Sequence, residues 1–173
     1  MKLKDCNLCP LRSEMNEYFF PCQPISSKSD LMIISYQPPE DAITIGIEAT
    51  IDYDLIKSVV KTPFYFTYLV KCLGKTNSKI IKTCMKNWVS REIQSLKPKT
   101  IITMGKEVSD KVIPGINKKK SIREIAGERY IIDGTTYIPT FSSAFILNGG
   151  KSTLNSFKNI FEKEGPQSAA RSE

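Results

Sequence analysis

The chain contains no histidine. That absence excludes histidine metal ligands, histidine general bases and Ser-His-Asp triads. Any chemistry must run on carboxylates, hydroxyls, amides, lysine or a bound cofactor. No apolar run approaches the roughly 20 residues of a bilayer-spanning helix, so no membrane partner is expected. The opening residues, Met1-Lys2-Leu3-Lys4-Asp5, lack the apolar stretch of a secretory signal. A reducing, cytoplasmic compartment is the expectation. Acidic residues are in the minority: 18 Asp and Glu face 25 Lys and Arg, for a net charge of +7. Such an excess favours a polyanionic partner, nucleic acid foremost. The plain alternative is general solubility.

What is present in quantity is cysteine, with five copies. In a reducing compartment they argue for metal binding rather than disulfides. Cys6 and Cys9 form a CxxC pair, and Cys72 and Cys84 lie far downstream. Four thiolates from a tight pair and a distant pair suit a tetrahedral metal or a cubane iron–sulfur cluster. Cys22, within Phe20-Pro21-Cys22-Gln23, is a reserve ligand; its ordinary reading is a small buried apolar residue.

A length of 173 residues predicts one domain, here residues 1–163, with a small, polar, disordered tail over 164–173. Apolar, β-branched or aromatic runs predict strands at 31–35, 65–71 and 99–104. Asp133-Gly134 predicts a hairpin turn between 129–132 and 136–140. Helical spacing predicts helices over 52–61, 79–96, 106–112 and 152–161, with Asp52 and Ser78 as candidate caps and Trp88 in the core. Residues 141–144 read as a loop. The alternation predicts an α/β fold: a three-layer sandwich around a central, mostly parallel four-stranded sheet. Ligands of such sheets bind beyond the carboxyl ends of the strands.

Four segments, in order, carry a family resemblance. They are Cys6-Asn7-Leu8-Cys9-Pro10-Leu11-Arg12, Phe66-Thr67-Tyr68-Leu69-Val70-Lys71-Cys72, the stretch from Cys84-Met85-Lys86-Asn87-Trp88 to Lys97-Pro98-Lys99 and Gly105, and Ile138-Pro139-Thr140-Phe141-Ser142-Ser143-Ala144. The chain resembles the iron–sulfur uracil-DNA glycosylases, family 4 of their superfamily. The resemblance implies a uracil-DNA-glycosylase-like fold and a [4Fe–4S] cluster on Cys6, Cys9, Cys72 and Cys84, with zinc as the rival occupant. It also implies DNA as a partner.

The same resemblance exposes departures. Tyr36, in Ser35-Tyr36-Gln37-Pro38-Pro39, stands where the family has the Glu of Gly-Glu-Ala-Pro-Gly. Tyr68 replaces a base-reading Asn, and Ser142 replaces a His. Thr44-Ile45-Gly46 offers no Phe for stacking. The pocket candidates are therefore Ser35, Tyr36, Gln37, Tyr68 and Ser142. Glu40 and Asp41 could orient water, or be solvated loop carboxylates. Loss of an anion-stabilising donor typically costs on the order of 10²–10³ in rate. Tyr36 and Tyr68 are expected to fill the pocket, so inefficient uracil excision is expected. The DNA surface is expected on Lys118, Lys119, Lys120, Arg123, Ser143 and Lys151. The function expected is a DNA-holding accessory in replication, repair or phage DNA metabolism, with a protein partner. The rivals are an active glycosylase for uracil or a modified pyrimidine, and a protein–protein assembly module.

Overall fold

The computed structural model describes residues 6–11 and 29–162, without the side chains of residues 43 and 44. Cys22 and the tail beyond 162 lie outside the described residues. Among the described residues the sheet has five strands rather than the four expected, because both arms of the hairpin join it: β1 (Leu31–Ser35), β2 (Phe64–Tyr68), β3 (Thr100–Met104), β4 (Tyr130–Ile132) and β5 (Thr135–Thr140). Their order is β2-β1-β3-β5-β4. The first four in that order are parallel, as expected. The fifth, β4, is the other arm of the hairpin and runs antiparallel to β5 at the edge. Asp133 and Gly134 both take positive φ in its two-residue turn, the conformation such a turn demands.

Strand alternation divides the core into two layers. Met32, Ile34, Tyr65 and Ile101 face one side, against α3 (Ser78–Cys84), α4 (Ser90–Leu96) and α5 (Lys106–Val112). A π-helical turn, Met85–Val89, joins α3 to α4 and buries Trp88. Leu31, Ile33, Phe66, Ile102 and Ile138 face the other side. There they meet α2 (Ile51–Val59) and α8 (Gly150–Glu162), with Phe157 and Phe161 fully or nearly buried. Among the described residues the remaining helices are short: α1 (Ala42–Ile45), the 3-10 turn Ile47–Ala49, α6 (Ile122–Ile125) and α7 (Ser143–Asn148).

Local chemistry departs from the expected caps. Thr50, not Asp52, caps α2: its Oγ1 accepts from the Tyr53 N–H at 3.4 Å. Asn77, not Ser78, caps α3, accepting from Lys79 and Ile80 at 3.0 Å. Residues 143 and 144 are the first turn of α7 rather than a loop, because Ser142 caps it by accepting from the Phe145 N–H at 3.3 Å. β2 stops at Tyr68, yet Leu69 and Val70 still donate to the carbonyls of Ser35 and Tyr36. No helix among the described residues is long and apolar enough to cross a membrane.

Candidate functional site

The sheet reverses its winding between β1 and β3, and ligands of such sheets bind beyond the carboxyl ends at that point. Alternation sends Ser35, Tyr68, Met104 and Thr140, the last residues of four strands, to the face shared with α2. The Ser35 hydroxyl donates to Asp52 Oδ2 at 2.6 Å, with both residues buried. The Tyr68 hydroxyl donates to Thr50 Oγ1 at 3.3 Å. Thr50 in turn donates to the Ile47 carbonyl at 2.7 Å. The Tyr68 ring packs edge-on against Phe66 at 5.0 Å and is 0% exposed. Burial first, and the Asp52 carboxyl second, push its phenol far above the ordinary range. The Thr140 hydroxyl is buried without a hydrogen-bond partner among the described residues.

The other pocket candidates go elsewhere. Tyr36 follows Ser35 and points to the opposite face. Its ring packs on the cysteine-bearing core, and its hydroxyl lies 2.6 Å from Thr76 Oγ1. Tyr36 and Tyr68 therefore do not meet in one pocket. Gln37 donates to the carbonyls of Cys72 at 2.6 Å and Gly74 at 3.0 Å. The loop after β1 is thus sewn to the loop after β2. Ser142 stands against the β3–α5 turn: a Cβ on Gly105 would lie 3.2 Å from its own Cβ, and Gly105 has a φ of 93°. Both facts require glycine there. Glu40 and Asp41 are exposed.

Asp52 is the residue that sequence reasoning placed wrongly. A carboxylate in a first helical turn resembles a cap, and nothing local reveals a partner 17 positions away. A hydrogen bond to a charged group is worth about 1.5–3 kcal/mol. Ser35→Ala should therefore lower stability by about that amount, while Ser35→Ala/Asp52→Ala should recover part of it. Urea denaturation of the three proteins checks this.

Cys6, Cys72 and Cys84 are buried in one apolar cluster, and half-buried Cys9 packs against it. All four are free thiols. Burial is the main cause that pushes the Cys84 thiol up; a hydrogen bond from the Lys71 backbone opposes it, and Cys9 and Cys6 add to it. The residues expected as ligands thus belong to one core cluster, although no group of three or more His, Cys, Asp or Glu among the described residues is arranged to hold a metal ion.

The basic residues lie on other elements, after α5, on α6 and at the start of α8. Lys118 and Lys119 are exposed and unpaired with carboxylates among the described residues. Lys120 pairs with Glu128 at 3.3 Å, half in solvent, a contact worth little. The Arg123 guanidinium sits 5.2 Å over the Phe145 ring. It thereby joins α6 to α7, the helix that Ser143 begins. Lys151 is exposed on the first turn of α8.

A family model described as the uracil DNA glycosylase superfamily matches residues 25–163. No curated protein matches the chain.

Proposed function

We propose a DNA-holding function from one premise: the chain belongs to the uracil DNA glycosylase superfamily. Enzymes that act on a base in DNA must draw it into a pocket and read its edge. The single observation behind our reading is Tyr68. Its side chain occupies the strand-end space where a base would enter, packed on Phe66 and tied to Thr50. The protein then grips DNA without efficient excision of uracil. Holding or assembly in DNA replication, repair or phage DNA metabolism is the role left to it, with a protein partner.

A [4Fe–4S] cluster on Cys6, Cys9, Cys72 and Cys84 belongs to the same reading. The chemistry of the donors supports it: the four thiols belong to one core cluster, and thiolate ligands suit iron–sulfur clusters or zinc. Bound there, the cluster would supply a covalent clamp. These cysteines would tie the N-terminal segment, the loop after β2 and α3 together. The Lys71 backbone N–H would orient the Cys84 sulfur.

The test uses the full chain and oligonucleotides with and without uracil. Binding should weaken steeply with salt, as phosphate contacts require. Excision should be slower than that of an active superfamily member by at least about 10². The buried Ser35–Asp52 pair favours a second reading, in which the site turns over a modified pyrimidine. Release of uracil or another base at an active enzyme's rate would establish that reading instead. Absence of DNA binding would leave the assembly module.

A further inference from the structure

We infer that the groove between α6 and α8 is a nucleotide site that grips phosphate. The groove has a volume of about 370 Å³, within the range of small-ligand sites. Arg123 and Arg129 line one part of it, and Ser156 and Asn159 of α8 line another. Ile138 and Phe141 supply the apolar lining. None of the strand-end residues Ser35, Asp52 and Tyr68 borders it. The groove is therefore distinct from the Ser35–Asp52 and Tyr68–Thr50 contacts at the strand ends.

The lining suits one chemistry. A guanidinium is a planar fork of donors that matches two phosphate oxygens at once. Two such forks beside a side-chain amide and a hydroxyl, over an apolar surface, suit a phosphate attached to a flat ring. Among the described residues no Asp or Glu lines the groove. The carboxylates nearest the arginines in the chain are committed elsewhere. Glu124 accepts from the Ser121 N–H and hydroxyl, both at 2.7 Å. Glu128 accepts from the Tyr130 hydroxyl at 2.6 Å and from Lys120 at 3.3 Å.

The groove is also held in shape. Arg123 lies over Phe145, which stacks on Phe141 with ring centres 5.0 Å apart. That ladder restrains Arg123 without neutralising its charge. The Gly127 N–H donates to the Pro139 carbonyl at 2.8 Å, which pins the α6 end to β5.

A free mononucleotide and a nucleotide within a DNA strand carry the same chemistry. Only the second source rests on the DNA-holding function proposed above. The test measures binding of dTMP and of a labelled single-stranded oligonucleotide to the full chain. The variants are Arg123→Gln/Arg129→Gln, Ser156→Phe to fill the groove, and Lys118→Ala/Lys119→Ala as a control outside the groove lining. All five positions are exposed, so the variants should fold. Each groove variant should lose about tenfold or more in affinity for dTMP, for the oligonucleotide, or for both, the size of a lost charge-assisted hydrogen bond. The lysine control should leave dTMP affinity unchanged. Loss for dTMP alone identifies the free nucleotide as the ligand; loss that includes the oligonucleotide identifies the strand. If the chain binds the oligonucleotide and neither groove variant changes its affinity for either probe, the inference fails while DNA holding stands. If dTMP binds and the groove variants abolish it, but no oligonucleotide binds, the groove stands and DNA holding fails. No binding of either probe overturns both.

Discussion

Lys71→Met should cost about 3–5 kcal/mol of folding stability, the cost of breaking a buried ion pair from one side. Lys71 is 1% exposed and its Nζ lies 2.8 and 2.9 Å from the two oxygens of Glu92, which is itself buried. Thr67 accepts a further hydrogen bond from the same ammonium. Removal of the cation strands the Glu92 carboxyl between β2 and α4 with no opposite charge. A domain of this size has only about 5–15 kcal/mol in hand, so the single change approaches unfolding. Lys71→Met/Glu92→Leu removes both charges and should recover most of the loss. Guanidinium denaturation midpoints at unchanged slope are the readout. A Lys71→Met protein within about 1 kcal/mol of the parent would show that the pair is not closed as described.

The second large effect concerns the cysteines. On the proposed cluster, the parent protein should carry iron, acid-labile sulfide and a broad visible absorbance, and Cys72→Ser and Cys84→Ser should each abolish them. Cys22→Ser should leave all three. Metal binding to such sites is folding free energy, about 10–16 kcal/mol for structural zinc in small domains. The two variants should therefore also become protease-sensitive at the N-terminal segment that Cys6 and Leu11 anchor to the core. Zinc in the parent protein, with no iron, would overturn the cluster and keep the clamp. A metal-free parent of unchanged stability would remove both. This effect is linked to the first, because Lys71 forms the ion pair, directly precedes Cys72, and its backbone serves Cys84.

Much of the scaffold was legible in the residues. β-branched and aromatic runs located the strands, Asp133-Gly134 located the hairpin, and the period of Ile80, Cys84 and Trp88 located the long helical rod. The short helices α1, α6 and α7 were not legible. Four to six residues cannot meet the cost of helix nucleation by propensity. α6 and α7 rest instead on side-chain caps at Ser121 and Ser142 and on tertiary contacts. The site was legible only in part. Ser35 and Tyr68 do reach the strand ends on one face, whereas Tyr36 and Gln37 bind the cysteine loop. Strand alternation contained that signal, since adjacent residues must point to opposite faces. Thr140 carried the same signal through its spacing from Ile138.

By itself, the sequence determined the alternation of strands and helices, the thiol donor set and the excess of positive charge. These follow from local periodicity and composition, which act within a few residues. The tertiary structure alone decided that Asp52 meets Ser35, that Tyr68 is buried against Thr50, and that Arg123 and Arg129 share a groove with α8. Each of those outcomes joins residues from elements distant in the chain. Strand order and helix packing set such distances, and no local pattern encodes them.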